Sequence, residues 1–127
     1  MKILVVDDNE AICSGLCELL ERANPMYRCE SASDGNEALL KAKASKPDVV
    51  ILDFSMPGMG GLSAARLITH RLPGTKILLH TAHDNDMLEA NAGRYGVFRV
   101  VEKTDGRNLL AIIREIARAE GLHFRMG

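Results

Sequence analysis

Short unbroken apolar runs alternate along this chain with longer segments whose apolar residues recur at helical spacing. The runs Ile3–Val6 and Val49–Leu52 lack the polar alternation of a half-exposed strand, which indicates strands buried on both faces. Strands of that kind occur where helices cover both sides of a parallel sheet. The alternation repeats five times, so it predicts an α/β fold of five βα units around one doubly wound parallel sheet.

The second predicted strand differs in composition from the other four. It is polar, and a polar strand in a parallel sheet usually lies at an edge. The five predicted strands are Lys2–Val6, Tyr27–Ser31, Val49–Asp53, Lys76–His80 and Val97–Val101.

Capping residues mark the starts of the predicted helices. Asn9 can cap a helix that ends near Asn24, because the proline after Asn24 disfavours helical backbone in the residue before it. Asp34, followed three residues later by Glu37, resembles a capping box at the start of the second helix. The remaining predicted helices are one carrying Leu62 to Ile68, a looser one from about Asp84 to Arg94, and one beginning near Asp105.

The size and charge of the chain exclude several classes of protein. Its 127 residues suit one domain, which we place at residues 1–120, followed by a short frayed tail at 121–127. The formal net charge of -1 creates no overall attraction to nucleic acid or to an anionic membrane. No apolar run is long enough to span a bilayer, and no secretory signal opens the chain. We therefore predict a soluble, cytoplasmic protein without direct nucleic-acid or membrane contacts.

Three cysteines, Cys13, Cys17 and Cys29, form an odd set without metal-binding spacing. We interpret them as reduced thiols that serve as small buried apolar side chains, because free cysteine is among the most buried residue types. A redox role is the less favoured alternative.

Polar residues stand where the predicted strands end. Ligands of open parallel sheets bind outside the carboxyl ends of the strands, so these side chains should converge on one site. They are Asp7 and Asp8 after the first strand, Asp53 at the end of the third, Thr81 after the fourth and Lys103 after the fifth.

The chemistry of that set points to phosphoryl transfer. Clustered carboxylates repel one another and require a cation, and oxygen ligands of this kind select Mg²⁺, which commonly retains waters and a phosphate oxygen. An ionised aspartate such as Asp53 can attack phosphorus to give an aspartyl-phosphate. The Thr81 hydroxyl and the Lys103 ammonium can then contact the phosphoryl oxygens.

Four motifs in this order resemble the receiver domain of two-component response regulators, a CheY-like domain. They are Val5-Val6-Asp7-Asp8, Leu52-Asp53 with the loop through Pro57-Gly58 and Gly61-Leu62, Thr81-Ala82, and Glu102-Lys103. The resemblance covers about residues 2 to 119. It implies a flavodoxin-like sandwich with the strand order 2-1-3-4-5.

The resemblance also implies roles and partners. A sensor histidine kinase or a histidine phosphotransfer protein would phosphorylate Asp53, with Mg²⁺ held by Asp8, Asp53 and the main-chain carbonyl of Ser55, and with Asp7 acting mainly through water. The protein would be a switch rather than a conventional enzyme, catalysing only its own phosphorylation and dephosphorylation. Thr81 would move toward the phosphoryl group and repack the face formed by the fourth helix, fifth strand and fifth helix, which could also mediate a homodimer.

Two positions depart from the family pattern. Val100 stands where receivers usually carry an aromatic residue that reports the movement of the threonine, and Thr104 replaces the proline that usually follows the lysine. We therefore expect coupling through the loop from Ala82 to Asp86 and through Tyr95 or Phe98.

Other functions were weighed against this one. A haloacid-dehalogenase-type phosphatase also uses an aspartate nucleophile and Mg²⁺, but it needs two aspartates separated by one residue, which Asp7-Asp8-Asn9 does not supply. A phosphorylation-independent, receiver-like scaffold is the binding-only alternative. The chain could be a stand-alone regulator, or it could precede a downstream partner such as a C-terminal DNA-binding domain.

Overall fold

A computed structural model describes residues 1–83 and 86–121 of the chain. Five parallel strands form one sheet in the order β2-β1-β3-β4-β5, which confirms the predicted flavodoxin-like α/β fold and the edge position of the second strand. The strands are β1 (Lys2–Val6), β2 (Arg28–Ala32), β3 (Val49–Asp53), β4 (Lys76–Thr81) and β5 (Val97–Glu102).

Helices connect the strands and cover both faces of the sheet. They are α1 (Glu10–Ala23), α2 (Gly35–Ser45), α3 (Gly61–Arg71), α4 (Asp86–Ala92) and α5 (Gly106–Ala119), with a 3-10 turn, Gly93–Tyr95, after α4. Within the described ranges, no helix is long and apolar enough to cross a membrane. Apart from Gly121, the predicted tail lies outside the described residues.

Two core clusters lie on opposite faces of the sheet. Ile3, Val5 and Ile51 point toward α1 and α5, where they pack with residues such as Leu20 and Ile113. The alternate residues of the same strands, including Leu4, Val50 and Leu52, pack with alanines of α2 and α3. The unbroken apolar runs therefore arise because successive side chains point to opposite, equally buried faces.

The predicted helix caps form with one difference in detail. The Asn9 side chain accepts hydrogen bonds from the backbone N–H groups of Ala11 and Ile12 at 3.0 and 3.2 Å. Asp34 Oδ1 accepts the N–H of Glu37 at 2.8 Å, but the Glu37 carboxylate accepts from the N–H of Ser33, one residue before the cap. The amino-terminal ends of α1 and α2, which lie at the site, are thus fixed by side chains.

Some element boundaries differ from those predicted. β2 begins and ends one residue later than expected, because the Tyr27 N–H donates to Asn24 O in the preceding turn while Ala32 pairs with Val6. β4 and β5 each extend one residue further, to the pair Thr81 and Glu102.

The fourth helix is shorter than its predicted span. It is regular over Asp86–Ala92, and the predicted end at Arg94 falls in the 3-10 turn that closes at Gly96, whose φ is +86°. The predicted start at Asp84 lies outside the described residues.

Candidate functional site

The predicted strand-end residues meet at one rim of the sheet. An open cavity of about 400 Å³ is lined by all six residues assigned to the site, together with five neighbours. The six assigned residues are Asp7, Asp8, Asp53, Ser55, Thr81 and Lys103, and the neighbours are Asn9, Ile12, Phe54, Ala82 and His83.

A cluster of three carboxylates lines this cavity. Asp7, Asp8 and Asp53 each offer an oxygen, and these oxygens all lie within 4.8 Å of one another. Asp7 and Asp53 are buried, whereas Asp8 is exposed at the cavity mouth. Such a set of hard oxygen donors suits Mg²⁺, which binds through one or two carboxylates and retains waters, so the residues present fit the predicted ion.

Lys103 bridges two of the carboxylates. Its ammonium lies 2.9 Å from Asp7 Oδ2 and 3.1 Å from Asp53 Oδ1. The backbone at Lys103 is fixed by its N–H, which donates to Thr81 O at 2.7 Å and continues the β4–β5 ladder past the last strand residue. The side chain therefore reaches back from the end of β5 to the ends of β1 and β3.

Backbone groups fix the two buried aspartates. Asp7 Oδ1 accepts the N–H of Asn9 at 2.9 Å, and Asp53 Oδ1 accepts the N–H of Ser55 at 3.3 Å. Both bonds run from a carboxylate to the N–H two residues later, a local turn that aspartate forms readily. The loop after each strand thus fixes the orientation of its carboxylate without a bound ligand.

Burial and the pairing with opposite charge shift the pKa values of Asp53 and Lys103 in opposite directions. Burial raises the pKa of Asp53, and the negative charge of Asp7 adds to that rise, while the hydrogen bond from Lys103 works against it. Burial lowers the pKa of Lys103, but hydrogen bonds to Asp7 and Asp53 outweigh burial and leave that pKa raised. Lys103 is therefore the positive partner that keeps a buried carboxylate available in its ionised form.

The Thr81 hydroxyl points to its own loop rather than to Asp53. Thr81 Oγ1 donates to the main-chain oxygen of His83 at 3.2 Å and accepts the N–H of His83 at 3.3 Å. Thr81 is buried and lines the cavity. Its hydroxyl must leave these two bonds before it can contact a group bound at Asp53.

One neighbour of the site was not identified from the sequence. His80 is 4% exposed and pairs in register with Asp53 on one side and with Val101 on the other. Register neighbours share a face of the sheet, so His80 lies on the same face as Val101. Val101 belongs to the core cluster beneath α1 and α5, and His80 therefore faces these two helices. Burial, followed by the positive charge of Lys103, lowers the pKa of His80 to about 4, so its imidazole is neutral at physiological pH.

The comparisons with known proteins agree with this geometry. A family model described as the response regulator receiver domain matches residues 3–114. The chain belongs to the response regulator receiver family.

Relatives of this receiver include longer regulatory proteins. Response regulator GacA of Pseudomonas syringae pv. syringae is 36% identical over 100 residues, which cover 75% of this chain and 47% of GacA. Transcriptional regulatory protein LnrK of Bacillus subtilis is 36% identical over 92 residues, covering 72% of this chain and 42% of LnrK. The receiver thus spans about half the length of the curated relatives it matches.

A solved structure shares the fold over almost its whole length. Chemotaxis protein CheY4 of Vibrio cholerae superposes with a TM-score of 0.84 at 29% sequence identity, covering 91% of this receiver and 97% of that chain. Receiver domains are signalling switches of two-component systems. Membership of this family therefore supports the predicted switch and excludes a haloacid-dehalogenase-type phosphatase.

Proposed function

We propose that this receiver accepts a phosphoryl group on Asp53 in a Mg²⁺-dependent reaction, and that residues 1–120 form the unit that carries it. The observation that supports this most strongly is the bridge from the Lys103 ammonium to Asp7 and Asp53, beside the exposed carboxylate of Asp8. One cation and three carboxylates leave an excess of negative charge that a divalent ion would neutralise.

Asp8, Asp53 and the main-chain carbonyl of Ser55 are the proposed ligands of the ion, with Asp7 contributing through water. When bound, Mg²⁺ would supply charge neutralisation on the phosphoryl oxygens. Asp8 is the most accessible of the three carboxylates, and Ser55 is exposed at the same mouth. The donor set is therefore open to solvent on the side from which a phosphodonor approaches.

In the proposed reaction, a carboxylate oxygen of Asp53 attacks phosphorus and forms the new O–P bond. The bond between phosphorus and the donor breaks, and the donor leaves with the electron pair. Lys103 follows the charge onto the phosphoryl oxygens, because its ammonium already lies 3.1 Å from the attacking carboxylate. The receiver catalyses only this transfer and the later hydrolysis.

The proposed switch begins at Thr81 and reaches the face formed by α4, β5 and α5. Thr81 exchanges its bonds with His83 for a phosphoryl oxygen, and the backbone of Ala82 and His83 moves with it; the rest of the loop predicted to couple, before Asp86, lies outside the described residues. A second route starts at Phe54, next to Asp53, because Phe54 packs against the small core cluster of Leu79, Leu88 and Ala92. Val100 packs against the same cluster, so Phe54 places an aromatic ring near the position where the family usually has an aromatic residue.

Tyr95 and Phe98, which we expected to couple with Thr81, pack against cationic side chains. The Tyr95 ring lies under Arg66 of α3, at 4.7 Å from the guanidinium carbon to the ring centroid. The Phe98 ring contacts Lys76 and Arg99 at 5.3 and 5.0 Å and is partly exposed. Both aromatic side chains contact cations near the start of β5, whereas Thr81 pairs with Glu102 at the end of that strand.

The proposed partners follow from the family. A sensor histidine kinase or histidine phosphotransfer protein supplies the phosphoryl group, in the cytoplasm. Because the chain covers about half of GacA and LnrK, and LnrK is named a transcriptional regulator, a C-terminal DNA-binding domain outside this chain is the proposed output. A homodimer through α4, β5 and α5 remains a prediction.

The alternative is a receiver-like scaffold that works without phosphorylation. The presence of Asp53, Thr81 and Lys103 around one cavity favours the phosphorylated switch, because a scaffold has no need of the complete set. Labelling separates the two functions.

Incubation with acetyl phosphate and Mg²⁺ should add about 80 Da to the protein, the mass expected for one phosphoryl group. Asp53→Asn should stay unmodified under the same conditions, and chelation of Mg²⁺ should suppress labelling of the wild type. Asp48, which is partly buried on the opposite rim, provides the matched control, since Asp48→Asn should label normally. An unmodified wild-type protein would favour the scaffold.

A further inference from the structure

Helix α1 lies over the edge strand β2 and brings two cysteines from different elements together. Cys29 pairs in register with Ile3, a member of the core cluster beneath α1 and α5, so its side chain faces α1. Cys17 follows the buried Cys13 by one helical turn and faces the same cluster. Both side chains pack against this cluster, and each thiol influences the pKa of the other.

A hydrogen bond holds this part of α1 in place over β2. The backbone N–H of Cys29 donates to Glu21 Oε2 at 3.3 Å. Glu21 lies one turn beyond Cys17, on the same face of the helix. The face of α1 that carries Cys17 and Glu21 is therefore held against β2 at Cys29. The same hydrogen bond satisfies an N–H on the outer side of the edge strand.

Cys13 provides a contrast within the same chain. It is buried, and its thiol lies 3.4 Å from the main-chain oxygen of Asp7, away from the solvent. A bond from Cys13 to Cys17 would join consecutive turns of one helix and would not tie α1 to another element. Cys17 and Cys29 are each only half-buried.

We propose that Cys17 and Cys29 form a disulfide when the protein meets a hydroperoxide, joining α1 to β2 by a reversible covalent bond. A peroxide can reach the pair because Cys17 is only partly buried, and Cys29 lines an open cavity of about 270 Å³ together with Glu21, Arg28 and Ser45. The inference concerns the α1–β2 interface and does not depend on phosphorylation of Asp53.

The reaction proceeds in two balanced steps. The thiolate of Cys17 attacks one peroxide oxygen, the O–O bond breaks, and the leaving hydroxide takes a proton to become water. The Cys29 thiol then displaces the hydroxyl of the resulting Cys17 sulfenic acid, forming the S–S bond and releasing a second water. The two thiols lose two electrons and two protons, and the peroxide is reduced to water.

The electrostatic surroundings favour Cys17 as the first thiol to attack, and the same disulfide forms in either order. Burial raises the pKa of both thiols, and that of Cys29 rises well above the usual range. The interaction with Cys29 lowers the pKa of Cys17, whereas the same interaction raises the pKa of Cys29. Glu21 raises both, so the oxidation is slow compared with that of an activated thiol.

The test is a thiol count on the full chain after treatment with millimolar hydrogen peroxide, followed by alkylation in denaturant and intact-mass measurement. The wild type should fall from three alkylated thiols to one, and dithiothreitol should restore all three. Cys13→Ala should lose both of its thiols, whereas Cys17→Ala and Cys29→Ala should keep theirs.

Thermal unfolding supplies an independent measurement. Oxidised wild-type protein should melt several degrees higher than the reduced form, because the bond restricts the unfolded chain. Three alkylated thiols after treatment, added oxygen without thiol pairing, loss of thiols in Cys17→Ala or Cys29→Ala, or disulfide-linked dimers would each overturn the inference.

Discussion

Lys103 joins the ends of three strands, because its ammonium lies 2.9 Å from Asp7 Oδ2 and 3.1 Å from Asp53 Oδ1. The residue stands 96 positions after Asp7 in sequence, yet its side chain has only 24% of its surface exposed. A long, flexible side chain held between two buried carboxylates is positioned to follow charge as it moves onto a phosphoryl group.

Lys103→Met should slow the labelling of Asp53 by acetyl phosphate on the order of 100-fold, the cost of removing one preorganised charge contact from a reacting site. The rate of mass increase in the presence of Mg²⁺ measures this. Exposed Lys43 on α2 gives the control, and Lys43→Met should label at the wild-type rate. Equal rates for both variants would remove Lys103 from the reaction.

His80→Leu should reduce the acid sensitivity of the fold. The pKa of His80 is lowered from 6.5 to about 4 in the folded protein, so the unfolded chain binds a proton first as the pH falls. The wild type therefore keeps its full stability above about pH 6.5 and loses it progressively toward pH 4, by about 2 kcal/mol at pH 5.

Urea unfolding at pH 7 and pH 5 measures this difference. The drop between the two pH values should be smaller in His80→Leu than in the wild type by that amount. His70→Gln, at an exposed position on α3, controls for the loss of a histidine without a buried imidazole. The same drop in all three proteins would contradict the assignment.

Gly61→Ala should damage both stability and the site. A Cβ at Gly61 would contact the main-chain oxygen of Asp53 and lie 2.8 Å from Phe54 Cα, so the backbone that carries the acceptor must move. We expect a loss of about 2 kcal/mol, as for other overpacked positions, and slower labelling of Asp53.

Gly74→Ala is the matched control, because a Cβ there meets no atom within 4 Å. Denaturant unfolding and labelling rates together distinguish the two glycines. If Gly61→Ala behaves like Gly74→Ala, the loop after β3 tolerates displacement and the close approach has no functional role.

Thr69→Val should stabilise the packing of α3 against the turn before β5. Thr69 Oγ1 is buried without a hydrogen-bond partner among the described residues, and it faces Gly96. Valine keeps the shape and removes the unsatisfied hydroxyl, so a gain of about 1 kcal/mol is expected in urea unfolding. Thr69→Ser retains the hydroxyl and should give no such gain; a destabilised valine variant would show that the hydroxyl has a partner in solution.

Much of the site could be predicted because parallel strands end at one rim. Asp7, Asp53 and Lys103 follow apolar runs, so their convergence needs only the topology of the sheet. His80 was missed because it ends such a run, and its position beside Asp53 becomes visible only through the register of β3 and β4.

Other features depend on geometry that sequence patterns do not encode. The register shift opposite Ile77 and Leu78 leaves Phe98 as an extra residue in β5, and an alternation pattern cannot locate such a bulge. The orientation of the Thr81 hydroxyl depends on the backbone of His83. Cys17 and Cys29 pack against the same core cluster because the turn after α1 reverses the chain, so that β2 runs back beside the helix.

The most direct test of the central claim is a crystal structure of the protein with Mg²⁺ and beryllium fluoride, a tetrahedral mimic of the phosphoryl group. If Asp53 is the acceptor, beryllium should be bound to one of its carboxylate oxygens, and a metal should lie about 2.1 Å from oxygens of Asp8, Asp53 and Ser55. Lys103 and the Thr81 hydroxyl should contact the fluorides. A metal bound elsewhere, or an Asp53 free of beryllium at saturating concentrations, would contradict that claim.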